Sequence, residues 1–209
     1  MEEVTRPCPL TSIRTCCAVT DTRLSSEEKA LLAGMIGKSL DELVHDNYVI
    51  NPSSYMSVWL VVDGSVYELH RETEVINRFG TKDDVAVTRL RQSKRESMRT
   101  HIVGGKLVAD KVGRLIEDIK VVEDTQIMTK DVDVGGAFIF TSAVIFELGG
   151  TEIVLEPDAW FSEDIFIERG PGASKRLPDA IEDIAKPART YTTVTREIVS
   201  LKCWGEGRG

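Results

Sequence analysis

The sequence predicts an α+β fold dominated by antiparallel sheet, arranged as a partly closed barrel or as two packed sheets. Three observations carry this prediction. Two apolar segments, 58–69 and 138–155, each break at a turn dipeptide, Asp63-Gly64 and Gly149-Gly150, which suits the positive φ angles of a tight hairpin. The segment 191–201 is rich in Thr and Val, residues that fit a pleated, half-buried surface. No strand–helix–strand alternation is visible, which argues against a doubly wound parallel sheet.

The elements follow in order. Pro7 and Pro9 mark an irregular lead-in, with a short strand around 13–19. Residues 25–46 carry the best helical signal. Ser25 with Glu28 forms a capping box, in which cap and third residue satisfy each other's orphan amides. Leu31, Leu32, Met35 and Ile36 recur at helical spacing. Ser39 with Glu42 repeats the box before Leu40, Leu43 and Val44, so the spacing predicts two short helices broken near Gly37. From residue 55 the pattern becomes strand-like. Residues 58–62 and 66–69 flank Asp63-Gly64, and 85–90 alternates as a further strand. Residues 92–111 are polar and show no period. The β-branched run within 112–122 favours a strand there. Residues 138–148 turn at Gly149-Gly150 and return through 152–155. A short strand at 165–167 stops at Gly170-Pro171-Gly172. Pro178 opens a second helical segment over 178–186, with Pro187 just beyond it.

The two hairpins echo each other. Residues 58–69 align on 144–155 without gaps, with valine, glycine and leucine matching at both ends and at the turn. The chain of 209 residues reads as one domain, with a subdivision into 1–100 and 101–209 if the echo reflects a repeat.

Composition narrows the function classes. The formal net charge is −8, which removes the bulk electrostatic attraction that drives nucleic-acid binding. A local basic cluster stands out, comprising Arg89, Arg91, Lys94, Arg95 and Arg99. No apolar run reaches the ~20 residues that span a bilayer. The N-terminus lacks a signal-peptide pattern, so a cytoplasmic location is expected. The four cysteines suit that reducing compartment. Cys8, Cys16 and Cys17 do not show the paired spacing of a zinc site, and no cofactor is expected.

Candidate site residues fall into three groups. Glu68, His70 and Glu72 share one face if 66–72 is extended. Histidine with two carboxylates can hold a divalent metal. In the echo, Glu156 and Asp158 take the places of His70 and Glu72, and Glu163 lies just downstream. Trp59, Trp160 and Phe161 are the aromatic candidates for partner contact, since aromatics are enriched at interface cores. Gly170, Gly172, Lys175 and Arg176 form a glycine-rich loop with two cations that could accept an anion. Leu32 to Ser39 departs from a phosphate-binding loop at its first position, and no nucleophile elbow is present. The expected function is therefore a non-enzymatic binding or interaction protein, meeting a protein partner or a second copy of itself. The alternative is a hydrolase using a metal or an acid pair.

Overall fold

A computed structural model describes residues 18–47, 53–78, 81–130, 133–158, 162–177, 190–202 and 204. The cysteines, the segment 178–186, Trp160 and Phe161 lie outside the described residues.

Twelve strands and one helix are present among those residues: β1 (Ala18–Thr22), α1 (Ser26–Ala33), β2 (Ser39–Asp46), β3 (Ser53–Tyr55), β4 (Ser57–Val62), β5 (Ser65–Arg78), β6 (Thr81–Ser93), β7 (Leu107–Leu115), β8 (Asp118–Lys130), β9 (Asp133–Glu147), β10 (Glu152–Pro157), β11 (Asp164–Gly170) and β12 (Thr190–Ser200). They form two sheets, not a closed barrel. One has five strands in the order β6-β5-β4-β2-β7. The other has seven, in the order β12-β8-β9-β10-β11-β3, with β1 added in parallel to β9.

The helix starts as the sequence predicts. Glu28 N donates to Ser25 Oγ at 3.2 Å, and Ser25 N donates to Glu28 Oε2 at 2.7 Å. The second predicted helix is overturned, because residues 39–46 are strand β2. The reason is a β-bulge. Leu40 pairs with Val62 and Glu42 with Val61, leaving Asp41 as the extra residue. An extra residue lets Leu40 and Leu43, three apart, both face the core, which imitates the spacing of a helix face. The bulge also aims Asp41 at the adjacent hairpin, where its Oδ2 accepts from Gly64 N at 3.1 Å. The predicted strand at 112–122 is two strands. The chain leaves the first sheet after Leu115 and enters the second at Asp118, with Ile116 buried at the crossing.

Both predicted hairpins form, and they share one register. Val58 pairs with Leu69 and Leu60 with Tyr67. Val144 pairs with Leu155 and Phe146 with Ile153. The turns match too: φ is 45° and 73° at Asp63 and Gly64, and 63° and 82° at Gly149 and Gly150. The likeness extends across the sheets. Strands β7-β2-β4-β5-β6 and β12-β8-β9-β10-β11 run in the same order, and a 3-10 turn follows the last hairpin strand in each, at Arg95–Ser97 and Ala173–Arg176. The aligned residues Val58, Leu60, Val62, Tyr67 and Leu69, and Val144, Phe146, Leu148, Ile153 and Leu155, all enter one core between the sheets. Leu24, Leu32 and Met35, on and around α1, join that core.

The Asp63-Gly64 turn gives a stability prediction. An L side chain at the left-handed φ of Gly64 costs about 1–2 kcal/mol. Gly64→Ala is expected to lower the urea midpoint accordingly, with the m-value unchanged because the folded surface is unchanged.

Polar side chains tie the sheets at their margins. Arg71, buried on β5, donates from Nε to Ser162 O at 3.0 Å, from Nη1 to Thr88 Oγ1 at 2.6 Å and from Nη2 to Ala86 O at 2.5 Å. It meets no carboxylate among the described residues, and burial pulls its pKa down to about 10. His45 Nε2 lies 3.0 Å from Asp110 Oδ2, and Arg169 reaches the same oxygen at 2.6 Å, joining β2, β7 and β11.

Candidate ligand-binding cleft

The outer face of the five-stranded sheet carries an open cleft of about 970 Å³. Its position follows from the topology. Residues 94–106 leave β6 at one edge of the sheet and reach β7 at the other, so they strap across the outer face. Met98 of the strap and Leu107, the first residue of β7, pack on Val44, Trp59, Val61 and Val66. Arg95 Nη2 pairs with Glu42 Oε2 at 2.7 Å, and Asn47 N donates to Lys106 O at 2.7 Å.

Beside the strap, strand register brings together residues far apart in the chain. Trp59 lies opposite Glu68, and Glu68 opposite Arg91. Glu68 is buried. Its Oε1 accepts from Ser57 Oγ at 2.9 Å and its Oε2 from Arg91 Nε at 2.9 Å. Trp59 is 1 % exposed, and its indole N–H meets no acceptor among the described residues. Buried donors are usually bonded, so this one marks a place where an acceptor would be favoured. Arg91, Lys94, Arg99 and His101 line the wall and mouth. Lys94 and Arg99 are exposed and form no ion pair among the described residues. Glu96 is the opposing acid.

The second sheet shows what the same position looks like when filled. Its register sets Ile145 where the first sheet has Trp59, Val154 where it has Glu68, and Glu168 where it has Arg91. Ala173 and Leu177, from the segment after β11, close over Val122, Ala143, Ile145 and Val154 as an apolar cluster. The first sheet instead has a charged floor and an open mouth.

The sequence-predicted residues distribute as follows. Glu68, His70 and Glu72 do leave one face of β5. Glu68 is held by Arg91 and Ser57, and His70 Nε2 lies 3.7 Å from Glu72 Oε2. Burial, and then the Arg91 charge, push the His70 pKa below its ordinary value. Glu156 lies on the other sheet, on β10. Glu163 does reach β5, accepting from Thr73 Oγ1 at 2.9 Å and from Tyr55 Oη at 2.5 Å, bonds that hold its carboxyl below the usual range. Thr73, however, points to the face opposite Glu72. Asp158 is exposed after β10. Among the described residues no group of three His, Cys, Asp or Glu side chains is placed to hold a metal ion. In the glycine loop, Arg176 pairs with Glu168 and donates to Arg169 O at 3.1 Å, while Ser174 N donates to Glu152 Oε2 at 2.7 Å. These loop donors already serve internal acceptors.

Glu156 is half-buried, and burial drives its pKa to about 7; Glu168 and Asp158 add to the rise, while Arg196 opposes it. Between its ordinary 4.5 and that value the unfolded chain has released a proton that the folded chain keeps. Stability therefore falls as pH rises through this window, and the loss is complete above it. Glu156→Gln removes the loss. It is expected to raise the melting temperature at about pH 8 and leave it nearly unchanged at about pH 4, as thermal melts at the two pH values would show.

Sequence reasoning did not assemble the cleft, because pairing of β4, β5 and β6 makes neighbours of Trp59, Glu68 and Arg91. The one available signal was the basic cluster from Arg89 to Arg99 in an otherwise acidic chain. No helix of the described residues is long and apolar enough to cross a membrane. Comparison with protein-family models, with curated proteins and with solved structures finds no match.

Proposed function

We propose that the protein is a non-catalytic binding protein whose first-sheet cleft takes an anionic ligand. One observation carries this: Lys94 and Arg99, which form no ion pair among the described residues, stand at the mouth of a cleft lined by Trp59 and by the Arg91–Glu68 pair. In a chain of net charge −8, a cationic opening is a local feature that selects against the protein's own acidic surface and in favour of small or local anionic groups. The filled equivalent on the second sheet supports the reading, since apolar closure is available to this architecture and the first sheet departs from it. The titratable groups near the floor favour binding over reaction. Glu68, the carboxylate at the floor, is held in an ion pair by Arg91 while it accepts from the Ser57 hydroxyl, so it is engaged on both oxygens.

Titration of citrate into the labelled protein, followed by amide and indole NMR resonances, tests the proposal. The expected result is saturable shifts at Lys94, Arg99 and the Trp59 indole N–H, reduced by salt. Shifts scattered over the surface, or none, would contradict it.

A further inference from the structure

We infer that the anionic ligand is an acidic peptide segment, bound extended along the exposed end of β6; this rests on the anion-binding reading of the same cleft. β6 is an edge strand among the described residues, and its residues Arg91, Gln92 and Ser93, followed by Lys94 just past its end, run consecutively along the cleft wall. Edge strands present free N–H and C=O groups to an incoming chain.

The phase of the ladder identifies which groups are free. Leu90 N donates to Glu28 Oε1 on α1 at 2.8 Å, so the Leu90 amide points away from β5. Outward groups alternate along an antiparallel strand, which makes Gln92 the next residue to present its N–H and C=O outward. Gln92 is exposed, and no backbone partner occupies it among the described residues.

The second sheet again supplies the contrast. Leu90 pairs with Leu69 as Ile167 pairs with Leu155, so Arg169 stands where Gln92 does and Pro171 where Lys94 does. There the outward carbonyl of Arg169 accepts from Arg176, Pro171 has no amide to offer, and β3 already pairs with β11 at Asp164, Ile165 and Phe166. On the first sheet α1 closes the edge only as far as Leu90. The stretch beyond it is open, lies in the cleft and is flanked by Arg91, Lys94 and Arg99. An extended chain carrying carboxylates matches both the backbone edge and the charges. A compact anion matches only the charges.

The test compares a hexaglutamate peptide with citrate and inorganic phosphate, using calorimetry and amide hydrogen exchange on the full chain. The expected result is that hexaglutamate binds more tightly than either compact anion and slows exchange at Gln92. Gln92→Pro, which removes the outward donor while sparing the ladder to β5, should weaken the peptide about tenfold, the worth of roughly one backbone hydrogen bond, and leave citrate unchanged. Backbone N-methylation of the peptide should weaken it similarly on the unaltered protein, which covers the case of a variant that misfolds. Citrate or phosphate binding as tightly as the peptide, without protection at Gln92, overturns the peptide inference and leaves the anion site standing. No binding by any of the three overturns both.

Discussion

Replacing Glu123 by alanine is expected to destabilise the protein by about 3–5 kcal/mol, the cost of stranding a buried charge. Glu123, 5 % exposed, sits on β8 and accepts an ion pair from Lys29 of α1 and another from Arg23 Nη1 at 3.0 Å. Lys29 is itself only 7 % exposed, with its ammonium 5.3 Å from the Trp204 ring centre. Removal of the carboxylate leaves that ammonium without a full negative charge. For a chain of this size the loss corresponds to a melting temperature lower by about 10 °C. The double variant Lys29→Met with Glu123→Leu removes both charges and should be distinctly milder. Thermal melts of the two variants side by side check the origin of the effect, since equal losses would point to packing and not charge.

Phe146→Ala is expected to cost about 3–5 kcal/mol, from lost burial and from the cavity left behind. Phe146 is fully buried in the core that both sheets share. Its register equivalent on the first sheet, Leu60, is equally buried, and Leu60→Ala should cost about 2–5 kcal/mol. Because one core joins the sheets, each variant should still unfold in a single transition in urea. Separate transitions for the two sheets would contradict the shared core.

The strand content was legible where local chemistry and burial agree. Asp63-Gly64 and Gly149-Gly150 name their own turn type, and the apolar runs beside them reach the inter-sheet core in matching register. The capping box at Ser25 and Glu28 was equally direct, because both of its bonds lie within one helical turn. Residues 39–46 misled for a definite reason. A bulge at Asp41 restores Leu40 and Leu43 to one face, and sequence spacing alone reads that as a helix. The crossing at Ile116 was hidden because the segment 119–122, rich in β-branched residues, reads as the continuation of a single strand.

The cleft was less legible than the fold. Alternation correctly set Glu68, His70 and Glu72 on one face, but the partner that defines Glu68 is Arg91, brought opposite by the β5–β6 ladder. Trp59 was legible as a large aromatic on a strand, whereas the burial of its N–H without an acceptor among the described residues depends on how the sheet and the segment 94–106 pack around it. The basic cluster was visible from the start. Its division into roles depends on the folded neighbours: Arg89 turns to Glu74, Arg95 to Glu42 and Arg91 to Glu68, while Lys94 and Arg99 form no ion pair among the described residues.

Calorimetric titration of hexaglutamate into the wild-type protein and into the Lys94→Glu, Arg99→Glu double variant addresses the cleft most directly. Both residues are exposed and touch no core, so the variant should fold normally. A saturable heat for the wild type, weakened by salt and abolished in the variant, is the predicted result. Equal heats for the two proteins, or none for the wild type, would contradict an anion site at this cleft.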